Sequence, residues 1–365
     1  MTSILFPEPS TVDDSWGRRG EQPSDWIARS TLPRAKDIRR FLNENISKLP
    51  DGSQSNSHKA LHHRFKSAFF ELIVARTLQI LGAAIAVEVK QKDDKQPDFL
   101  ARFPDYTIIV EAASPNFNAE AGKEIKDRNP LMDIVECLTP EGWSVGVWEL
   151  PRIGQADSKK EFRRVVSEML SIPPPTDDST ELDLREELLT GNIHLHLIPK
   201  RPNWTPIAWD APFAVFDNTK EGIRKVIQRK RQQVRTAEVP VLLAIEGSWI
   251  SSSLENFDMA LFGHTFEVIN ERREREEPKF IADGLFTTNI NKPPTFAGVL
   301  AFPKIGFHSV DDPVLYHHPR FKGHLPEALT VLEQRWYEHG MGVNSIKIRP
   351  STSGNLLEPL EFVKE

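Results

Sequence analysis

The chain has 365 residues, 39% of them hydrophobic and 27% charged, which is globular composition with room for one large domain or two ordinary ones. Forty-six basic residues against 52 acidic ones leave a net charge of −6, which excludes a surface built throughout for polyanions while leaving room for a local basic patch. One cysteine, Cys137, excludes a disulfide framework and any zinc site built on several thiolates.

No run of about 18 apolar residues occurs, and the first thirty residues lack a basic start followed by an apolar block. No membrane partner and no secretory signal are expected, and the expected address is cytoplasmic. Residues 1 to about 32 hold Pro7, Pro9 and Pro23 without apolar periodicity and read as a loosely attached arm, with Trp16 and Trp26 as docking points. A short helix is predicted over 33–49, ended by the polar stretch 50–57. The first segment is therefore 1–57, an arm and a short helix.

The strongest periodic signal is HKALHHRFKSAFFELIVARTLQILG at 58–82, without proline or internal glycine and closed by Gly82. Leu61, Phe65, Phe69, Leu72 and Ile73 form one apolar line and Phe70, Val74, Leu78 and Leu81 a second, so the helix is expected to be buried on most sides. The pattern then switches to period two, with strands at AAIAVEVKQ, PDFLARF and TIIVEAAS separated by the turns KDDKQ and FPDY. A helix over 120–138, interrupted near Asn129 and Pro130, leads to a strand WSVGVWEL at 143–150 and a helix at 159–170. Three consecutive prolines in 172–181 mark a linker. Beyond it a strand at 192–199, a basic helix at 220–235, a strand VPVLLAIEG, a helix through FDMALFG and a strand FAGVLAFP keep the alternation going. The fold class is α/β, with a core over 58–171 and a further α/β region over 182–365.

Glu71 lies in the middle of the buried helix among Ser67, Ala68, Val74 and Ala75, where a carboxylate needs a cation, a hydrogen bond or a raised pKa; Arg64 and Arg76 are the nearest cations. Asp98 follows a proline at the opening of a strand. Glu111 lies inside the next strand, on the face of Ile109 and Ala113, and a tight FPDY turn would bring Asp98 and Glu111 together. Two like charges held close need a cation between them. Oxygen ligands alone suit Mg2+ or Mn2+, which can activate water and neutralise charge on a phosphate.

A helix with Glu71, a strand, Pro97-Asp98 and a strand with Glu111 resemble the core of the PD-(D/E)xK, or restriction-endonuclease-like, nuclease superfamily, whose core runs α-β-β-β-α-β. The resemblance covers residues 58–150. It implies a metal-dependent nuclease that hydrolyses phosphodiester bonds of nucleic acid, DNA ahead of RNA, and that often works as a homodimer. Asp98, Glu111 and Glu71 would hold the metal, with a backbone carbonyl near Ala112 assisting. The family's lysine two residues after the strand glutamate is replaced by Ala113. Another cation must then serve the attacking water: Lys90 or Lys126 first, then Lys123, with Lys230 as a remote candidate. The alternative is a catalytically inactive module that uses the same core to bind nucleic acid or a protein partner, and a lysine nitrogen within reach of Asp98 and Glu111 would separate the two.

On the basic helix, Arg224, Arg231 and Arg235 recur at intervals of seven and four and would track a phosphate backbone; the bland alternative is a solvated amphipathic helix. His58 and His62 stand one helical turn apart without a third ligand and read as solvated. His194 and His196 share one strand face, as in a half-exposed sheet. Cys137, in the apolar run LMDIVECL, reads as core packing. No phosphate-binding loop, dinucleotide fingerprint or serine-hydrolase elbow is present.

Overall fold

The computed structural model describes residues 6–15, 17, 21–87, 96–115, 119–151, 156–175, 177, 180–188, 191–200, 207–208, 219–234, 237–247, 254–266, 279–288, 294–305, 310–339 and 344–357. Among them the helices are α1 (Pro23–Arg29), α2 (Pro33–Ser47), α3 (Asp51–His63), α4 (Phe65–Ile80), α5 (Ala119–Leu138), α6 (Ala156–Met169), α7 (Thr219–Gln233) and α8 (Leu254–Leu261). The strands are β1 (Ala84–Val87), β2 (Phe99–Arg102), β3 (Thr107–Ala113), β4 (Trp143–Glu149), β5 (Leu182–Leu188), β6 (Gly191–Pro199), β7 (Ile207–Ala208), β8 (Val241–Glu246), β9 (His264–Phe266), β10 (Lys279–Ile281), β11 (Gly298–Phe302), β12 (Val314–His317), β13 (Glu333–His339) and β14 (Asn344–Arg349). The molecule is mixed α/β, and no described helix is long and apolar enough to cross a membrane.

The chain divides into two units at places other than the proline-rich stretch. One comprises Met1–Ser15, Gln22–Phe117 and Asp217–Glu365, the other Trp16–Glu21 and Asn118–Phe216. The expected 58–171 core is thus cut after β3, and the expected 182–365 region is split between the two units.

In the first unit a mixed sheet runs β1-β2-β3-β8-β11-β12-β13-β14. β1, β2 and β3 form an antiparallel meander, and β8 lies parallel to both β3 and β11. All six residues of β8 are buried, as befits a strand with a parallel neighbour on each side and a helical layer on each face. Ile109, Ala113, Leu243, Ile245, Val299 and Ala301 point to one face, where Ile223, Val226 and Ile227 of α7 and Val234 just after it pack against them. On the other face α4 supplies Phe70, whose ring meets that of Phe302 edge-on at 5.4 Å.

The helix and strand that follow β3 in this sheet are α7 and β8. They are not α5 and β4, the elements expected from chain order. β4 belongs to the second unit, whose four-stranded sheet runs β5-β6-β4-β7. There Leu131 and Val135 of α5 and Phe162 and Val166 of α6 cover Trp143, Val145, Ile193 and Leu195. His194 and His196 lie on the opposite face of β6, half-buried, beside Asp183 and Glu181.

Three local readings need correction. The stretch over 58–82 is not one helix: helicity begins at Asp51 and breaks at Arg64, whose φ of −139° and ψ of 52° separate α3 from α4. The N-terminal segment is docked, with Phe6 and Trp26 buried and Arg39 donating to the carbonyls of Ile27 and Ser30 and pairing with Glu8. Pro130 is accommodated inside α5, and Cys137 is exposed because Leu131 and Val135 define the buried side of that helix.

Candidate active site around Asp98, Glu111 and Lys230

The hairpin of β2 and β3 pairs Phe99 with Val110 and Arg102 with Thr107, closed by a Phe103 N–H to Tyr106 carbonyl bond of 2.8 Å. That register carries Asp98, the residue before β2, up to Glu111 and Ala112. Asp98 Oδ2 accepts the Ala112 backbone N–H at 2.8 Å, so the carboxylate is fixed to the strand that bears the second acid. Glu111 is 4% exposed, and such a carboxylate needs a partner.

The partner is Lys230. It sits on α7, on the line of Ile223, Ile227 and Val234 that faces the sheet, and its stem runs along apolar surface to deliver the ammonium group to the acids. Nζ donates to Glu111 Oε2 at 2.7 Å and to Asp98 Oδ2 at 3.3 Å. Burial would lower the lysine's pKa, but the two carboxylates outweigh it and hold the ammonium form above its ordinary value. Glu111 moves up: burial and the Asp98 charge raise it against the attraction of Lys230.

Glu71 reaches the same region from α4. It lines one pocket with Asp98, Arg64, Ala68, Leu72 and Phe99. Arg64 grips it with both Nη atoms, Nη2 lying 3.0 Å from Oε2, which selects Arg64 over Arg76 among the two nearest cations. Arg76 instead bonds Asn45 and Gln79. Burial raises the Glu71 pKa, Arg64 opposes that, Asp98 adds to it and Lys230 opposes it in turn, the signature of groups sharing one electrostatic neighbourhood. Among the described residues no group of three carboxylate, imidazole or thiol side chains converges closely enough to hold an ion. Asp98 and Glu111 make a pair, while Glu71 is drawn toward Arg64.

Of the lysines expected to serve this pair, Lys90 lies outside the described residues, and Lys123 and Lys126 lie on α5 of the second unit with side chains outside them. Among the described residues Lys230, the remote candidate, is the lysine in contact with both acids. Its sequence signal is an interruption: Ile223, Ile227 and Val234 would form an unbroken buried stripe but for a lysine at the i+3 position after Ile227. The expected phosphate-facing arginines divide. Arg224 turns inward, donating to the carbonyls of Met259, Ala260 and Asp283, and so ties α7 to the end of α8. Arg231 is half-buried near the end of α7, and Arg235 lies outside the described residues. His58 and His62 are not simply solvated; their Nε2 atoms lie 3.2 Å apart and the ring of Phe6 packs on both.

Two carboxylates and one ammonium group leave a net negative charge in a partly enclosed site. Such a set can attract a cation, orient a water molecule and stabilise negative charge on a substrate. The chain matches no family model, no curated protein and no solved structure.

Proposed function

We propose that the chain is a metal-dependent nuclease with a restriction-endonuclease-like core, formed by α4, β1, β2, β3, α7 and β8, in which Asn118–Phe216 is inserted between β3 and α7. The observation that carries the reading is the Lys230 ammonium group within 2.7 Å of Glu111 and 3.3 Å of Asp98. It supplies from a neighbouring helix the cation that Ala113 does not. The donor set fits a hard divalent ion: carboxylate oxygens of Asp98 and Glu111, the backbone carbonyl near Ala112, and Glu71 if Arg64 releases it. Bound there, Mg2+ or Mn2+ would lower the pKa of a ligated water and neutralise charge on the attacked phosphate. Lys230 acts as an ammonium group rather than a base, because both carboxylates hold its proton; it orients the attacking water and stabilises the charge that builds on phosphorus-bound oxygen. Asp98, clamped by the Ala112 amide, keeps its second oxygen free of that bond for the ion. DNA is the preferred substrate, and a single exposed cysteine suits a reducing compartment such as the cytoplasm.

Cleavage of plasmid and oligonucleotide DNA with Mg2+, Mn2+ or chelator tests this directly. Wild-type protein should cut only with the ion, and Asp98→Ala combined with Glu111→Ala should abolish cutting. Ion-independent cutting, or cutting that survives the double substitution, overturns the proposal. A catalytically inactive binding module is the second reading, favoured by the pairing of Glu71 with Arg64, which already engages the third carboxylate. It predicts nucleic-acid binding without cleavage and no response of stability to Mn2+.

A further inference from the structure

Glu71 lines one pocket with Asp98 and Phe99, yet its carboxylate is held by Arg64, which lines the same pocket. The two residues are seven apart, about 10 Å of helix, farther than the three- and four-residue spacings at which helical side chains ordinarily meet. The contact forms because Arg64 is not a helical residue. It stands at the break between α3 and α4, its N–H donating to the Ala60 carbonyl at 2.8 Å and its carbonyl accepting the Ala68 N–H at 3.1 Å. Fixed there by both helices, it extends its side chain along α4, where Nη1 reaches the Ser67 hydroxyl at 3.4 Å and both Nη atoms meet the two oxygens of Glu71. The ends of this pair differ in exposure: the Arg64 side chain is 51% exposed and that of Glu71 25%. An anion from solvent can therefore reach the guanidinium while the carboxylate stays on the pocket side. A guanidinium fork fits a phosphate as well as a carboxylate, and a solvent-screened ion pair holds its partner weakly.

We propose that Arg64 is a latch on the ion site: in the resting protein it holds Glu71 away from Asp98 and Glu111, and a nucleic-acid phosphate that takes its guanidinium releases Glu71 to become the third carboxylate ligand of the divalent ion. The inference rests on the ion site of the nuclease reading and adds to it an order of events, in which the strand completes the site that attacks it. Among the described residues the acids meet as a pair because the third is detained by the arginine. Arg64 acts on the ion only through Glu71, which gives the test its form.

Mn2+ binding to the full-length protein, followed by electron paramagnetic resonance of the free ion, tests the latch without any turnover. In the absence of nucleic acid, Arg64→Gln should tighten Mn2+ binding about tenfold, Glu71→Gln should leave it almost unchanged, and the double variant should match Glu71→Gln. Arg64→Lys keeps the charge but loses the two-point grip, so its affinity should fall between wild type and Arg64→Gln, which keeps the test valid if glutamine disturbs the helix junction. A phosphorothioate oligonucleotide, chosen to resist cleavage, should tighten Mn2+ binding about fivefold more in wild type than in Arg64→Gln. Tightening that survives in the double variant overturns the latch, since it then reports only the loss of a nearby positive charge. Unchanged affinity in both Arg64 variants overturns it as well, and equal oligonucleotide effects in wild type and Arg64→Gln overturn release by phosphate. The expected Mn2+ pattern with no Mg2+-dependent cleavage by wild type would retire the nuclease reading and keep the latch. Cleavage that depends on Asp98 and Glu111, with Mn2+ affinity indifferent to Arg64, would do the reverse.

Discussion

Replacing Lys230 by methionine keeps the length of the stem and removes one charge. At 2.7 and 3.3 Å from two carboxylates, each Coulomb attraction is on the order of 5 kcal/mol at an effective dielectric constant of about 20. Much of that offsets the desolvation of the three groups. Breaking a buried pair by removing one partner costs about 3–5 kcal/mol. Asp98 retains 28% exposure, so water takes over part of the lost interaction, and the expected loss is about 3 kcal/mol at neutral pH. The pH dependence fixes the sign. Glu111 already has a folded pKa above the ordinary value of a glutamate, through burial and Asp98, and losing Lys230 raises it further. A carboxyl group with a raised folded pKa takes up a proton on folding, so its favourable contribution is present at low pH and lost as pH rises through that pKa. The stability difference between wild type and Lys230→Met should therefore be small near pH 4.5 and widen toward pH 7 and above. Urea unfolding followed by tryptophan fluorescence at several pH values measures it. A difference below about 1 kcal/mol that stays flat with pH would refute the reasoning, since it is the size expected of a solvent-screened surface pair.

Addition of Mn2+ should raise the unfolding midpoint of wild type, by about 2.7 kcal/mol in free energy at a hundredfold excess over Kd, and leave Asp98→Ala with Glu111→Ala unmoved in a thermal melt. In the same titration Lys230→Met should bind Mn2+ more tightly than wild type, because a competing charge is gone; weaker binding would show that the lysine is required to shape the site. Elsewhere in the first unit, Arg335 donates to Asp258 at 2.6 Å and to Glu333 at 2.7 Å beneath Tyr316. Asp258→Ala leaves that guanidinium with one carboxylate and should cost about 2–3 kcal/mol in denaturant unfolding, a cost that a neutral outcome would contradict. A Cβ on Gly298 would lie 2.4 Å from the Tyr316 carbonyl oxygen, so Gly298→Ala must spread β11 from β12 and should destabilise by about 1–3 kcal/mol.

The acid pair was legible because it is local: a proline, a four-residue turn and period-two alternation dictate the β2–β3 hairpin, and the hairpin dictates that Asp98 meets Glu111. Lys230 was legible only as a remote candidate, behind Lys90 and Lys126, because 119 residues and a whole second unit separate it from Glu111. Chain order also misplaced β4. A helix followed by a strand has the same periodicity whichever sheet receives it, and only pairing partners decide, here β6 and β7 instead of β3. The strands β9, β10, β12, β13 and β14 escaped because they are short or carry charges such as Arg335 and Lys347 within the run, which blurs alternation. Cys137 failed for a different reason: an apolar run on a helix fills more than one face, and composition does not say which face is covered.

The long separation between Glu111 and Lys230 also has a consequence during synthesis. Ribosomes add roughly 5–20 residues per second, so the lysine is made roughly 6–24 s after the acid it joins. Through that interval the nascent hairpin carries two mutually repelling carboxylates and no ammonium counterpart. Any product terminated before α7 therefore carries the acid pair without its cation, and the three groups can first come together only once α7 has been made.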